Sequence, residues 1–205
     1  DFKAPAVETP KLRRSHGRKR TIERKSGVCN LVTEMDHASE AMILSEIRRA
    51  FPTHAIIAEE SGRHEGAEVR WFVDPLDGTM NYAHRLPFYA VSIGFESEGR
   101  LEGAVVYHPP LDDLWWARRG RGAWRNRERV RVSETRRLSE AFLCTGFPYA
   151  MKPKLQNLKN WEAFVRKGGA VRRMGAASLD LCYTAAGIFD GFWEFCLGPW
   201  DIAAG

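Results

Sequence analysis

The chain lacks any run of about 18 apolar residues, the least that a membrane-spanning helix requires. Its first 25 residues, DFKAPAVETPKLRRSHGRKRTIERK, hold no apolar core of a secretory signal. Cysteine is scarce. Cys29, Cys144, Cys182 and Cys196 are the only four, and none forms a C-x-x-C pair. That spacing argues against a structural zinc site, and each lies in or beside an apolar stretch. The expectation is buried thiols in a reducing cytoplasm, with no membrane contact. No internal repeat or low-complexity segment occurs. Acids are almost missing from Lys11 to Lys25, where Lys11, Arg13, Arg14, Arg18, Lys19, Arg20, Arg24 and Lys25 face only Glu23. Such a run suits either a nucleic acid or another polyanion, or a solvated tail. Because no aromatic residues interleave the charges, the tail is the expected reading for residues 1–24.

What remains is ample for one folded domain over 25–205, since 44% of the 205 residues are hydrophobic. Apolar residues at Ile43, Leu44, Ile47, Ala50 and Phe51 keep helical spacing and predict a helix from about Ala38 to Phe51, ended by Pro52. HAIIAEE and VRWFVD read as strands that each run into acids. YAVSIGFES and LEGAVVYHP read as a hairpin turning at EGR. DLWWARRGRGAWRN and RVRVS continue the antiparallel pattern. SEAFLCTGF, AVRRMG and FDGFWEF are further strands; NLKNWEAFVRK and AASLDLCYTAAG are helices, the second capped by Gly187. Blocks of helices and mostly antiparallel strands predict layered α+β packing. Ala203-Ala204-Gly205 reads as the opening of a helix, so the chain is expected to be a fragment.

Acids arrive at the ends of apolar strands in three places: IIAEES, WFVDPLDGT and GFWEFCLGPWD. If these ends converge, the carboxylates repel one another unless a cation lies among them. Oxygen ligands suit Mg²⁺ or Mn²⁺. In Asp74-Pro75-Leu76-Asp77 the proline fixes its own φ and can aim both acids at one point, exposing the Leu76 carbonyl. Gly78 permits close backbone approach, and a helix starting at Thr79 would offer free N–H groups to an anion. Taken alone, D-P-x-D-G fits a tight turn as well as it fits a site.

The longer stretch WFVDPLDGTMNYAHRLPFYAVSIGF resembles the first signature of the inositol monophosphatase family, and PWDIAAG its second. IIAEESG, NLVTEMD, GAVVYHP, ARRGRGAW and RRMGAASLDLCYTAAG are also similar and fall in the expected order. The resemblance covers about Lys25 to Gly205. It implies an αβαβα sandwich, incomplete at the C-terminus, and a Mg²⁺-dependent phosphomonoesterase acting on myo-inositol monophosphate or related polyol and sugar phosphates. It implies two or three Mg²⁺ per site, with Mn²⁺ as a substitute, inhibition by Li⁺ and a homodimer. By resemblance, Glu59, Asp74, the Leu76 carbonyl, Asp77 and Asp201 are metal ligands. Gly78 and Thr79 seat the phosphate. Thr79 and Asp36 orient the attacking water. Lys25 lies on a loop over the site, and Glu194 with Gly175, Ala176 and Ala177 contacts the polyol. Asp77 and Asp201 also border the substrate.

Other members of this fold leave alternatives open: fructose-1,6-bisphosphatase, histidinol-phosphate phosphatase, a 3′-phosphoadenosine-5′-phosphate phosphatase, or a non-catalytic binder of RNA or another polyanion. His84 and Pro87 read as scaffold, and His54, His64 and His108 as surface or turn residues. Trp115 and Trp116 fit strand packing, and Trp200 is expected to wedge against the core beside Asp201.

Overall fold

A computed structural model describes residues 22–26, 30–148 and 151–205. The basic run before residue 22 and Cys29 lie outside these residues. Three residues expected in the tail, Ile22 to Arg24, belong to a strand: β1 (Ile22–Ser26) pairs antiparallel with β2 (Asn30–Thr33).

Helix α1 spans Glu34–Ala50, starting four residues before the predicted position. The cause is a capping box. The Thr33 hydroxyl accepts from the Met35 N–H, and the Asp36 carboxylate accepts from the Thr33 N–H. Its apolar stripe, Ile43, Leu44 and Ile47, packs on β3 (His54–Ala58) and β5 (Ala67–Asp77).

Eight strands form the large sheet, in the order β10-β9-β8-β7-β6-β5-β3-β4. Its remaining members are β4 (Gly62–His64), β6 (Ala90–Ser97), β7 (Arg100–His108), β8 (Asp113–Arg118), β9 (Gly122–Arg125) and β10 (Glu128–Arg129). RVRVS was expected to continue as a strand, but β10 ends at Arg129, with one further bond from the Val130 N–H to the Ala123 carbonyl at 3.0 Å. The β6–β7 turn has both Glu98 and Gly99 at positive φ, the geometry of a tight hairpin. β3 and β5 run parallel; the other neighbours in this sheet are antiparallel.

The second sheet departs from the antiparallel expectation. β11 (Phe142–Thr145) lies between β12 (Ala170–Arg172) and β13 (Gly191–Trp193), all parallel. Helix α3 (Met151–Arg166) packs against β12, and α4 (Ala177–Ala185) lies between the two sheets. Gly187 follows α4 at φ 68°, as its capping role requires. The layers are thus α1, large sheet, α4, small sheet, α3: the αβαβα sandwich. A one-turn helix, α5 (Pro199–Ile202), rests on β5 and β6.

Two apolar clusters hold the layers. Val73, Leu76, Tyr82, Tyr89 and Ile93 meet α1 on one face of the large sheet; Phe88, Val106 and Trp115 meet Leu179 and Cys182 of α4 on the other. His108, expected at the surface, is buried beside Phe88, with Nε2 facing the Pro87 carbonyl at 3.2 Å.

Candidate active site

The first acidic segment is not a strand followed by a turn: β5 continues through Asp77. Between Asp74, paired with Ser92, and Asp77, paired with Ala90, β5 has one residue more than β6. Residues three apart in a regular strand face opposite ways. The bulge cancels that alternation and lets both acids face one cavity. Pro75 sits in the bulge, and its carbonyl accepts the Ser39 hydroxyl of α1 at 2.9 Å. Leu76 anchors the segment by inserting its side chain into the core.

Gly78 takes the left-handed conformation, φ 86°, and a Cβ there would meet the Phe88 carbonyl and Ala176. Helix α2 (Thr79–Ala83) starts at once. First-turn amides of any helix lack intrahelical acceptors, and Gly78, Thr79 and Met80 line the cavity. The Thr79 hydroxyl lies 2.9 Å from Asp36 Oδ1 and 3.0 Å from the Leu76 carbonyl. Asp36 is fully buried and lies behind the wall, in contact with it through Thr79.

The cavity holds about 470 Å³ and is bordered by Glu59, Asp74, Asp77, Asp201 and Glu194. Glu59 follows β3, its N–H donating to the Val73 carbonyl at 3.1 Å. Asp201 comes from α5, where Oδ2 accepts the Gly198 N–H at 2.5 Å. The Ser92 hydroxyl donates to the Trp200 carbonyl at 3.0 Å and ties α5 to β6. Gly175 and Ala177 line the cavity, whereas Ala176 faces the second core cluster. Lys25 lies in β1, and its side chain is outside the described residues. Cys196, expected to be buried, is exposed at the cavity wall; Cys144 and Cys182 are buried.

Four supporting residues escaped the sequence reading. Ser178, at the start of α4, donates its N–H at 2.7 Å and its hydroxyl at 2.5 Å to Asp77 Oδ2; the Ala177 N–H reaches Oδ1 at 3.1 Å. Glu40, buried on α1, accepts the N–H groups of Glu60 at 2.9 Å and Ser61 at 2.8 Å, fixing the turn that carries Glu59. Gly146 leaves room for Glu194, since a Cβ there would fall 1.9 Å from its carboxylate. Arg173 is a cation at the cavity wall. The sequence offered only weak signals: an acid inside a helix and a glycine after a strand.

The carboxylates disturb one another. Burial, then the charges of Glu59, Asp77 and Asp201, push the Asp74 carboxyl well above the usual range. Burial raises Asp77 to about 6 against the hydrogen bonds from Ser178 and Ala177. Glu194 rises to about 7, through burial and then the charges of Asp77 and Asp201, with Arg173 opposing. Asp36 is raised too, because burial outweighs its hydrogen bonds to Thr33 and Thr79. Among the described residues, no three Asp, Glu, His or Cys side chains already stand at ligating distance from one point. The donor set nevertheless fits a hard divalent cation. Glu59, Asp74, Asp77 and Asp201 bring four oxygen-donor side chains to one cavity, and a cation would relieve the repulsion that acts on Asp74.

The model of the inositol monophosphatase family matches residues 3–205. Nus factor SuhB of Pseudomonas aeruginosa is 48% identical over 182 residues, covering 85% of this chain and 67% of the relative. The structure of an inositol monophosphatase from Anabaena superposes with a TM-score of 0.77 at 43% identity, covering 82% of this chain and 68% of that one. An IMPase/NADP phosphatase complexed with NADP and Ca²⁺ gives a TM-score of 0.81 at 27% identity, covering 95% and 72%. The chain therefore belongs to the inositol monophosphatase family and has the fold of its phosphatases. No helix among the described residues is long and apolar enough to cross a membrane.

Proposed function

We propose that the chain is a Mg²⁺-dependent phosphomonoesterase of small polyol phosphates, with myo-inositol monophosphate the first candidate. The observation that carries this reading is the convergence of Glu59, Asp74, Asp77 and Asp201 on one cavity beside the Gly78–Thr79 turn. Glu59, Asp74, the Leu76 carbonyl, Asp77 and Asp201 would hold the metal. Bound there, Mg²⁺ would supply a Lewis acid and lower the pKa of a water.

The chain's own groups do the rest. The amides at the start of α2 bind the phosphate oxygens. The Thr79 hydroxyl donates to Asp36, so its lone pair remains to accept a hydrogen bond from the attacking water and orient it; as the water loses its proton to Thr79, the Thr79 hydroxyl proton passes to Asp36. Glu194, raised to about 7, accepts a hydrogen bond from a polyol hydroxyl when ionised. Arg173 adds a positive charge at the rim. The free buried thiols fit a cytoplasmic enzyme.

Phosphate release from inositol 1-phosphate, with Mg²⁺ and with EDTA, tests the reading. Asp77→Asn should lose nearly all turnover; near-normal turnover in that variant would overturn it. Release confined to sugar bisphosphates or histidinol phosphate would reassign the substrate. The name of the Pseudomonas relative supports a second reading, service as a Nus factor. Asp77→Asn separates the two, because a role that outlives the loss of turnover does not depend on hydrolysis in this cavity.

A further inference from the structure

The sequence reading assigned Trp115 and Trp116 together to strand packing, but the pleat of β8 splits them. Trp115 points under α4 and is buried with Val106, Leu179 and Cys182. Trp116 points to the opposite face and keeps 36% of its surface exposed. There it stands in register with Trp124 of β9, which stands in register with Arg129 of β10. The two indoles stack at 4.2 Å between centroids and 9° between planes. The Arg129 guanidinium lies 6.0 Å from the Trp124 ring. It also lies over Gly122, where a Cβ would come within 2.9 Å of it. Trp116, Trp124 and Arg129 thus form one continuous row across the last three strands.

The strands and turns that carry this row are rich in positive charge. From Leu114 to Ser133 there are seven arginines and one acid, Glu128. Arg125 pairs with Asp113 and Arg119 with Glu102. Arg118, Arg121, Arg127, Arg129 and Arg131 are exposed, and among the described residues none of them makes an ion pair. Arg118 shares the face of Trp116, two residues further along β8. None of these residues borders the 470 Å³ cavity.

We propose that the β8–β10 end of the large sheet binds single-stranded nucleic acid. Unpaired bases stack on the Trp116–Trp124 row, and the five unpaired arginines contact phosphates. An indole row offers a π face that any base can use, and guanidinium groups beside it follow the backbone. A duplex buries its base faces and cannot use the row. A second copy of this chain would bring arginines against arginines. Stacking and phosphate contacts do not involve the sugar hydroxyl, so RNA and DNA strands should bind alike.

The test is tryptophan-fluorescence titration of the full chain with 12-mers of oligo(U) and oligo(dT), against a mixed-sequence duplex carrying the same charge. Both strands should quench the fluorescence with affinities within a few-fold of each other. Affinity should fall steeply between 50 and 200 mM salt, on the order of tenfold or more for a few phosphate contacts. Trp116→Ala with Trp124→Ala should weaken strand binding at least about tenfold. These substitutions leave the basic run Lys11–Lys25 intact, so a loss reports on the row. If thermal unfolding shows the double variant misfolded, Trp124→Gln and Arg118→Gln carry the same expectation singly. Wild-type affinity in folded variants, equal quenching by the duplex, or no strand binding at 50 mM salt would overturn the proposal. Sedimentation showing that the variants only dissociate a dimer would overturn it as well.

Discussion

Asp77 and Ser178 are 101 residues apart in the chain, yet one carboxylate oxygen of Asp77 accepts both the hydroxyl and the N–H of Ser178. The start of α4 therefore fixes the orientation of a candidate metal ligand on β5. These bonds favour the ionised form of Asp77 and oppose the effect of burial, which brings the group to about 6. Ser178→Ala removes one of them. A hydrogen bond to a charged group contributes about 1.5–3 kcal/mol, so Mg²⁺ affinity should fall about 10- to 100-fold at neutral pH. The acid limb of the activity profile should also move to higher pH. Calorimetric titration with Mg²⁺ at pH 6 and pH 8 checks both, with the larger loss expected at pH 6.

Glu40 supports the site in the same way, from the other side. Its two oxygens hold consecutive amides directly after Glu59. Glu40→Ala leaves those N–H groups without their acceptor and frees the turn. We expect a stability loss of about 2–3 kcal/mol and weaker Mg²⁺ binding. Glu40→Gln, which keeps one acceptor, should recover part of each. Denaturant unfolding with and without Mg²⁺ measures the two effects separately.

Gly146→Ala tests the seat of Glu194. The added methyl would fall on the carboxylate, which must then leave its position. The KM for a polyol phosphate should rise several-fold, while hydrolysis of an aryl phosphate without ring hydroxyls should change little. Equal losses on both substrates would show that Glu194 serves the reaction and not polyol recognition.

Asp180 gives a pH signature of the folded chain. Both its oxygens are buried without a hydrogen-bond partner, apart from the weak Cys144 thiol beside them, and burial pushes the group to about 8. The sign follows from linkage. Between about pH 4 and pH 8 the unfolded chain has released this proton and the native chain still holds it, so stability falls as pH rises. Asp180→Asn should flatten the dependence of Tm on pH across that window. At pH 8 it should be the more stable protein, by about 1–3 kcal/mol. A variant that tracks the wild-type curve would show that Asp180 ionises freely in the native state.

Much of this architecture is legible in the sequence alone. The stripe Ile43–Leu44–Ile47, the paired apolar runs of β6 and β7, and Gly187 after α4 each follow from local periodicity or local backbone preference. The start of α1 was missed because Thr33 and Asp36 look polar and unstructured until their reciprocal bonds are seen. The parallel small sheet is not legible within the mostly antiparallel expectation, because parallel pairing leaves little local trace. Its direction depends on crossovers through α3 and α4.

Sequence by itself determined the identity of the acids, their placement after apolar strands and the family to which they belong. Those properties reside in residue type and spacing. Tertiary structure decided that a single bulge in β5 turns Asp74 and Asp77 to one side, and that Ser178 and Glu40 hold the ligand-bearing segments from distant helices. It also decided that Trp115 enters the core while its neighbour Trp116 remains outside. These outcomes depend on which strand lies beside which and on the register between them. That is set by burial summed over the whole chain and not by any short stretch of it.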